Sequence, residues 1–77
     1  MVLKDKYIII GHKIYIVNQL IKNNTEYALY TYLVTNIFGD FDRNRTIVHR
    51  VDGLSIHKIK ANAMDWHDLK KYPHYFI

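Results

Sequence analysis

The sequence predicts an α+β fold: a small, curled antiparallel sheet of four to five strands, barrel-like in curvature, packed by one C-terminal helix in a single domain spanning residues 1–77. Three observations carry that expectation. Apolar and tyrosine residues fill 7–17 and 27–34, on either side of the polar break Lys22-Asn23-Asn24-Thr25, which reads as a β-hairpin. Asp52-Gly53 sits between Ile47–Val51 and Leu54–Ile59, the commonest signature of a two-residue hairpin turn. From Asn62 onward the pattern changes to a helical stripe.

Tyr7–Ile10 is the first half of strand one or a short strand of its own, and Gly11 marks a bulge or sharp bend. Gly11–Ile21 is rich in β-branched and aromatic residues and reads as a strand. A turn at Asn23-Asn24 sets a register. It pairs Leu20 with Tyr27, Asn18 with Leu29, Ile16 with Thr31 and Ile14 with Leu33, and on the other face Val17 with Tyr30, Tyr15 with Tyr32 and Lys13 with Val34. Both faces then carry apolar side chains. A helix over Glu26–Asn36 is the competing reading, disfavoured because Tyr, Thr and Val are mediocre helix formers.

Asn36–Arg45 reads as a loop whose Phe38 and Phe41 tuck under the sheet. The Asp52-Gly53 turn would pair Val51 with Leu54, His49 with Ile56 and Ile47 with Lys58 on a buried face, leaving Arg50, Ser55, Val48 and His57 on the other. Asn62 as cap, with Asp65 in the first turn, starts a helix over Ala63–Tyr72 that ends before Pro73. Ala63, Trp66 and Leu69 form its apolar stripe. The tail Pro73–Ile77 is expected to dock as an edge strand or plug.

Composition narrows the function classes. The chain has no cysteine, which removes disulfides, thiol nucleophiles and thiolate zinc sites, and a reducing compartment follows as the plain expectation. The run Tyr7–Ile10 is too short for a signal core or a membrane span, so the expected location is cytoplasmic, with no membrane partner. Eleven Lys and Arg against seven Asp and Glu give a net charge of +4, spread without a run of like charges. The abundance of Ile, Lys, Asn and Tyr fits an AT-rich coding genome, as in bacteriophages or low-GC bacteria.

No catalytic motif is visible, and no enzyme activity or cofactor is expected. His49, His57, Asp65, His67 and Asp68 are the only metal candidates, and their spacing does not converge on one point. His49, on a mostly apolar face, must be neutral and hydrogen-bonded or lie at an opening in the core. Seven tyrosines, five of them within 7–34, instead suggest a contact surface. Its candidate residues are Tyr15, Tyr30 and Tyr32 on one face, Lys13 at their edge, and Arg43, Arg45 and Arg50 nearby. The expected function is a binding module for a protein partner, a homodimer of phage or mobile-element type, that docks its tyrosine-rich sheet or an edge strand onto a host macromolecule and modulates or inhibits it. The alternative is a basic nucleic-acid binder that stacks bases on the tyrosines and holds phosphates with the scattered Lys and Arg.

Overall fold

The computed structural model describes residues 3–69 and 71. Four strands form one antiparallel meander, β1 (Tyr7–Ile10), β2 (Lys13–Asn23), β3 (Glu26–Val34) and β4 (Phe41–Asp52), followed by α1 (Gly53–Asn62) and the single turn α2 (Trp66–Leu69). The sheet is open, since β1 and β4 are not paired, and no fifth strand occurs among the described residues. The fold class follows the sequence expectation. The strand reading of Glu26–Val34 prevails over the helical one because its branched and aromatic residues gain more from cross-strand packing than from a helix.

Both tight turns use a left-handed residue. Gly11 (φ 64°) turns the chain between Ile10 and Lys13, so Tyr7–Ile10 is a separate strand and Gly11 a hairpin turn rather than a bulge. Asn24 (φ 57°) turns it between the paired Asn23 and Glu26, one position later than the Asn23-Asn24 turn expected. Leu20 therefore meets Leu29, and Lys22 meets Tyr27.

A bulge between Val17 and Gln19 then changes the face. Beyond it Val17 pairs with Thr31, Ile16 with Tyr32 and Tyr15 with Leu33. Because side chains alternate, the extra residue Asn18 moves Tyr15 and Val17 to the inner face and leaves Tyr30 and Tyr32 on the outer one. The predicted pairs Tyr15–Tyr32 and Val17–Tyr30 are thereby corrected.

The inner face holds the core: Leu3, Ile8, Tyr15, Val17 and Leu29, with Ile10, Leu20, Leu33, Ile47, Ile59 and Ala63 packed against it. Asp52-Gly53 is not a hairpin turn but a helix start, and the Leu54–Ile59 strand with its pairings does not form. The Asp52 side chain accepts the Ser55 backbone N–H at 2.7 Å, and Gly53 lacks the positive φ that a type I′ turn requires. Ile56, fully buried, and Ile59 then fall one turn apart on the inner stripe.

The helix starts at the end of β4 and finishes beside β1. Met64 exchanges two backbone hydrogen bonds with Tyr7, at 2.8 and 2.9 Å, on the outer edge of β1. A ten-residue helix is about 15 Å long, matching the roughly 14 Å across three strand spacings, so α1 bridges the sheet from edge to edge. The predicted helix over Ala63–Tyr72 contracts to Trp66–Leu69, with Asn62 the last residue of α1 instead of a cap and Ala63 extended. That change follows from the earlier helix, which already covers the inner face. Tyr72 and the tail Pro73–Ile77 lie outside the described residues.

Candidate functional site: the outer face of the sheet

The outer face is divided. On its β1–β2 half, Ile14 and Ile16 are buried, and Trp66 of α2 packs on the Tyr7 ring with centroids 5.0 Å apart. Lys6 reaches Asp65 at 2.7 Å on the same side. The β3–β4 half is open. There the cross-strand rows run Ile21–Ala28–Arg50, Gln19–Tyr30–Val48 and Ile16–Tyr32–Thr46. Ile21 and Val48 are 40% and 46% exposed, large apolar side chains left facing water on either flank of Tyr30.

A second irregularity shapes the end of this surface. Between the pairs Tyr32–Thr46 and Val34–Phe41, residues 42–45 of β4 stand opposite Leu33 alone and bow outward. Asp42 holds the bow by accepting the Asn44 N–H at 2.9 Å. Phe41 is set against Tyr32, nearly parallel at 14° and 5.5 Å between centroids, and the Arg43 guanidinium lies 5.2 Å from the Phe41 centroid. A Tyr–Phe–Arg stack results. Beside it the Asn18 bulge opens a cleft of about 280 Å³, lined by Lys4, Asp5, Asn18, Tyr32, Phe41 and Arg43.

The structure brings together part of the predicted set. Tyr30, Tyr32 and Arg50 share the open face, and Arg43 joins it through Phe41. Arg45 is exposed beside Asp42 at 3.5 Å, a solvated pair that contributes little. Lys13 is exposed at the β1–β2 turn on the side of β2 that carries Tyr15, away from Tyr30 and Tyr32. Tyr15 is 9% exposed and belongs to the core, so the three predicted tyrosines do not form one surface.

Sequence reasoning missed two contributors. Phe41 and Phe38 were both expected under the sheet, yet Phe41 joins the stack and Phe38 is 77% exposed at a loop tip. That loop is held by Asn36, whose side-chain oxygen accepts the Phe38 N–H at 2.8 Å and whose amide reaches Asp40 at 2.7 Å. The spacing Asn36-x-Phe38-x-Asp40 was a legible turn signal, but turn residues do not reveal which way the ring points.

The histidines separate from one another. His57 is exposed on α1, whereas His49 is half-buried on the inner face. Its Nε2 lies 3.1 Å from Thr31 Oγ1, and that hydroxyl donates to the Ile47 carbonyl at 3.1 Å. With the hydroxyl proton committed to the Ile47 carbonyl, Nε2 carries the proton that is donated to Thr31 Oγ1. Burial lowers the His49 pKa below its usual value. The expected hydrogen bond of His49 is present, and the lowered pKa favours the neutral form. Among the described residues no three His, Asp or Glu side chains gather in a metal-binding arrangement, and no helix is long and apolar enough to cross a membrane.

Comparison with protein families, with characterised proteins and with solved structures found no match for this chain.

Proposed function

We propose that this chain is a non-enzymatic, cytoplasmic binding module that docks a protein partner on the β3–β4 half of its outer face and modulates a host macromolecule through that contact. The observation that supports this most is the contrast across one sheet face: Ile14 and Ile16 are covered, while Ile21 at the far end of β2 and Val48 of β4 are exposed, with Tyr30 and Tyr32 half-exposed on the strand between them. Leaving large apolar and aromatic side chains exposed costs solubility, and rigid tyrosines are efficient anchors because they bury area with little rotamer loss. The adjoining cleft beside Tyr32 suits an inserted partner side chain. β4 also offers a long strand edge with no partner strand among the described residues, which suits strand addition by a partner or by a second copy.

A second reading is kept for one observation. Arg43 over Phe41, itself stacked on Tyr32, has the form of a base-stacking platform with a phosphate contact beside it. The two readings part on salt and nuclease. Capture from a bacterial lysate by wild type but not by Tyr30→Ala/Tyr32→Ala, unaffected by nuclease and little changed between low and moderate salt, supports the protein partner. Capture that nuclease abolishes, with affinity falling by orders of magnitude over that salt range, supports nucleic acid instead. Capture identical in wild type and the double variant rejects the surface altogether.

A further inference from the structure

The gap between the two end strands carries a second feature, which meets the outer face only at Arg50. β1 and β4 are the end strands of the sheet and would stand about 14 Å apart in a flat one. The sheet curls without closing, and the gap beneath α1 is a cavity of about 410 Å³ bounded by both end strands. That volume lies within the range of small-molecule pockets, about 300 to 1,000 Å³.

Its lining is divided by chemistry. Ile8 and Ile10 from β1, Val51 from β4 and Ile59 from α1 form an apolar body, and Arg50 and Lys58, both exposed, stand at the rim. Among the described residues no aspartate or glutamate lines it. Neither Arg50 nor Lys58 forms an ion pair with any described residue, so their charge is uncompensated locally. His49 contributes to the wall with Nε2 committed to Thr31. A pocket with a greasy interior and two cations at the mouth is complementary to an apolar chain ending in an anion, and disfavours a cationic head.

We infer that this cavity is a binding site for a small amphiphilic carboxylate, with its hydrocarbon part among Ile8, Ile10, Val51 and Ile59 and its charged head between Lys58 and Arg50. The cavity and the outer face share Arg50, at the free edge of β4, but Tyr30, Tyr32, Ile21 and Val48 do not line the cavity.

The probe set is octanoate, octanol and octylammonium, titrated into the ¹⁵N-labelled chain. Octanoate is expected to shift the amides of residues 8–10, 49–51 and 59, with a Kd of about 0.1 mM from burial of its methylenes. Octanol should bind about fivefold more weakly, and octylammonium weaker still. Ile59→Trp, which fills the cavity, should abolish the shifts. Because that position packs against the core, a second variant removes the dependence on its folding: Lys58→Glu, on the exposed face of α1, leaves Arg50 facing a carboxylate and should abolish the preference for octanoate over octylammonium. Tyr30→Ala/Tyr32→Ala should bind octanoate like wild type, which separates this site from the docking face. Absence of shifts with all three probes overturns the site, and an unchanged head-group preference in Lys58→Glu overturns the anionic assignment.

Discussion

The Tyr15 ring stands edge-on to the His49 imidazole, with centroids 4.7 Å apart and planes at 76°, although the two residues lie on strands separated by β3. The contact is made over Thr31, which is fully buried and binds the same imidazole. A core tyrosine, a half-buried histidine and a buried hydroxyl are thus joined in one polar thread through an apolar layer. Every buried side-chain nitrogen and oxygen among the described residues has a partner, so the thread is fully satisfied.

Thr31→Val tests that thread. The substitution keeps the shape but strips His49 Nε2–H of its acceptor, at an expected cost of about 1 to 3 kcal/mol in urea unfolding. Thr31→Ser should retain most of the stability. A loss in Thr31→Ser with little or none in Thr31→Val would show that the methyl group, and not the hydroxyl, carries the effect.

The pH dependence follows from the lowered His49 pKa. The unfolded chain takes up a proton near the usual histidine value of about 6.5, while the folded chain resists until lower pH. Stability is therefore full above that value and declines as pH falls through it toward the folded pKa. Thermal unfolding of wild type should show this decline between about pH 7 and 5, and His49→Gln should flatten it. An identical slope in both proteins would assign the effect to another group.

Gly39 and Gly11 both have positive φ, at 84° and 64°, but differ in surroundings. A Cβ at Gly11 meets open space, whereas at Gly39 it would stand 3.2 Å from the Trp66 ring. Gly11→Ala should cost about 1 kcal/mol for the backbone alone, and Gly39→Ala about twice that, because the Trp66 ring packed on Tyr7 must also give way slightly. Denaturant midpoints of the two variants decide it. Equal losses would mean that Trp66 gives way freely.

The cap of α1 is a single side chain. The Asp52 carboxylate is held below its usual pKa chiefly by the Ser55 backbone N–H. Its contribution is present above the ordinary carboxylate range and is lost as pH falls through the folded value. Asp52→Ala should lower the melting temperature and the helical signal, and Asp52→Asn, which keeps an acceptor, should restore most of both. If Asn behaves like Ala, the cap is not what starts the helix.

Much of the sheet was legible because Ile, Val, Tyr and Thr dominate residues 7–34, and the Asn-Asn break marks where the chain reverses. The bulge at Asn18 was not. Ile14, Tyr15, Ile16 and Val17 are apolar in succession, so alternation fails to specify a face, and the placement of Tyr15 depends on tertiary packing. Asp52-Gly53 misled for a different reason: Asp caps helices as readily as it forms turns. The separating signal lay downstream, where Ile56, Ile59 and Ala63 recur at helical spacing while alternation beyond Gly53 is short. Of the proposed docking face, Tyr30, Tyr32 and Arg50 could be found from strand parity, whereas Phe41 and Arg43 reach it only through the irregular start of β4.

Tyrosine nitration mapped by mass spectrometry, with and without the captured partner, tests the central claim most directly. Tyr30 and Tyr32 should react in the free chain while Tyr15 stays protected, and saturating partner should suppress reaction at Tyr30 and Tyr32 alone. Full reactivity of both rings in the saturated complex would contradict it.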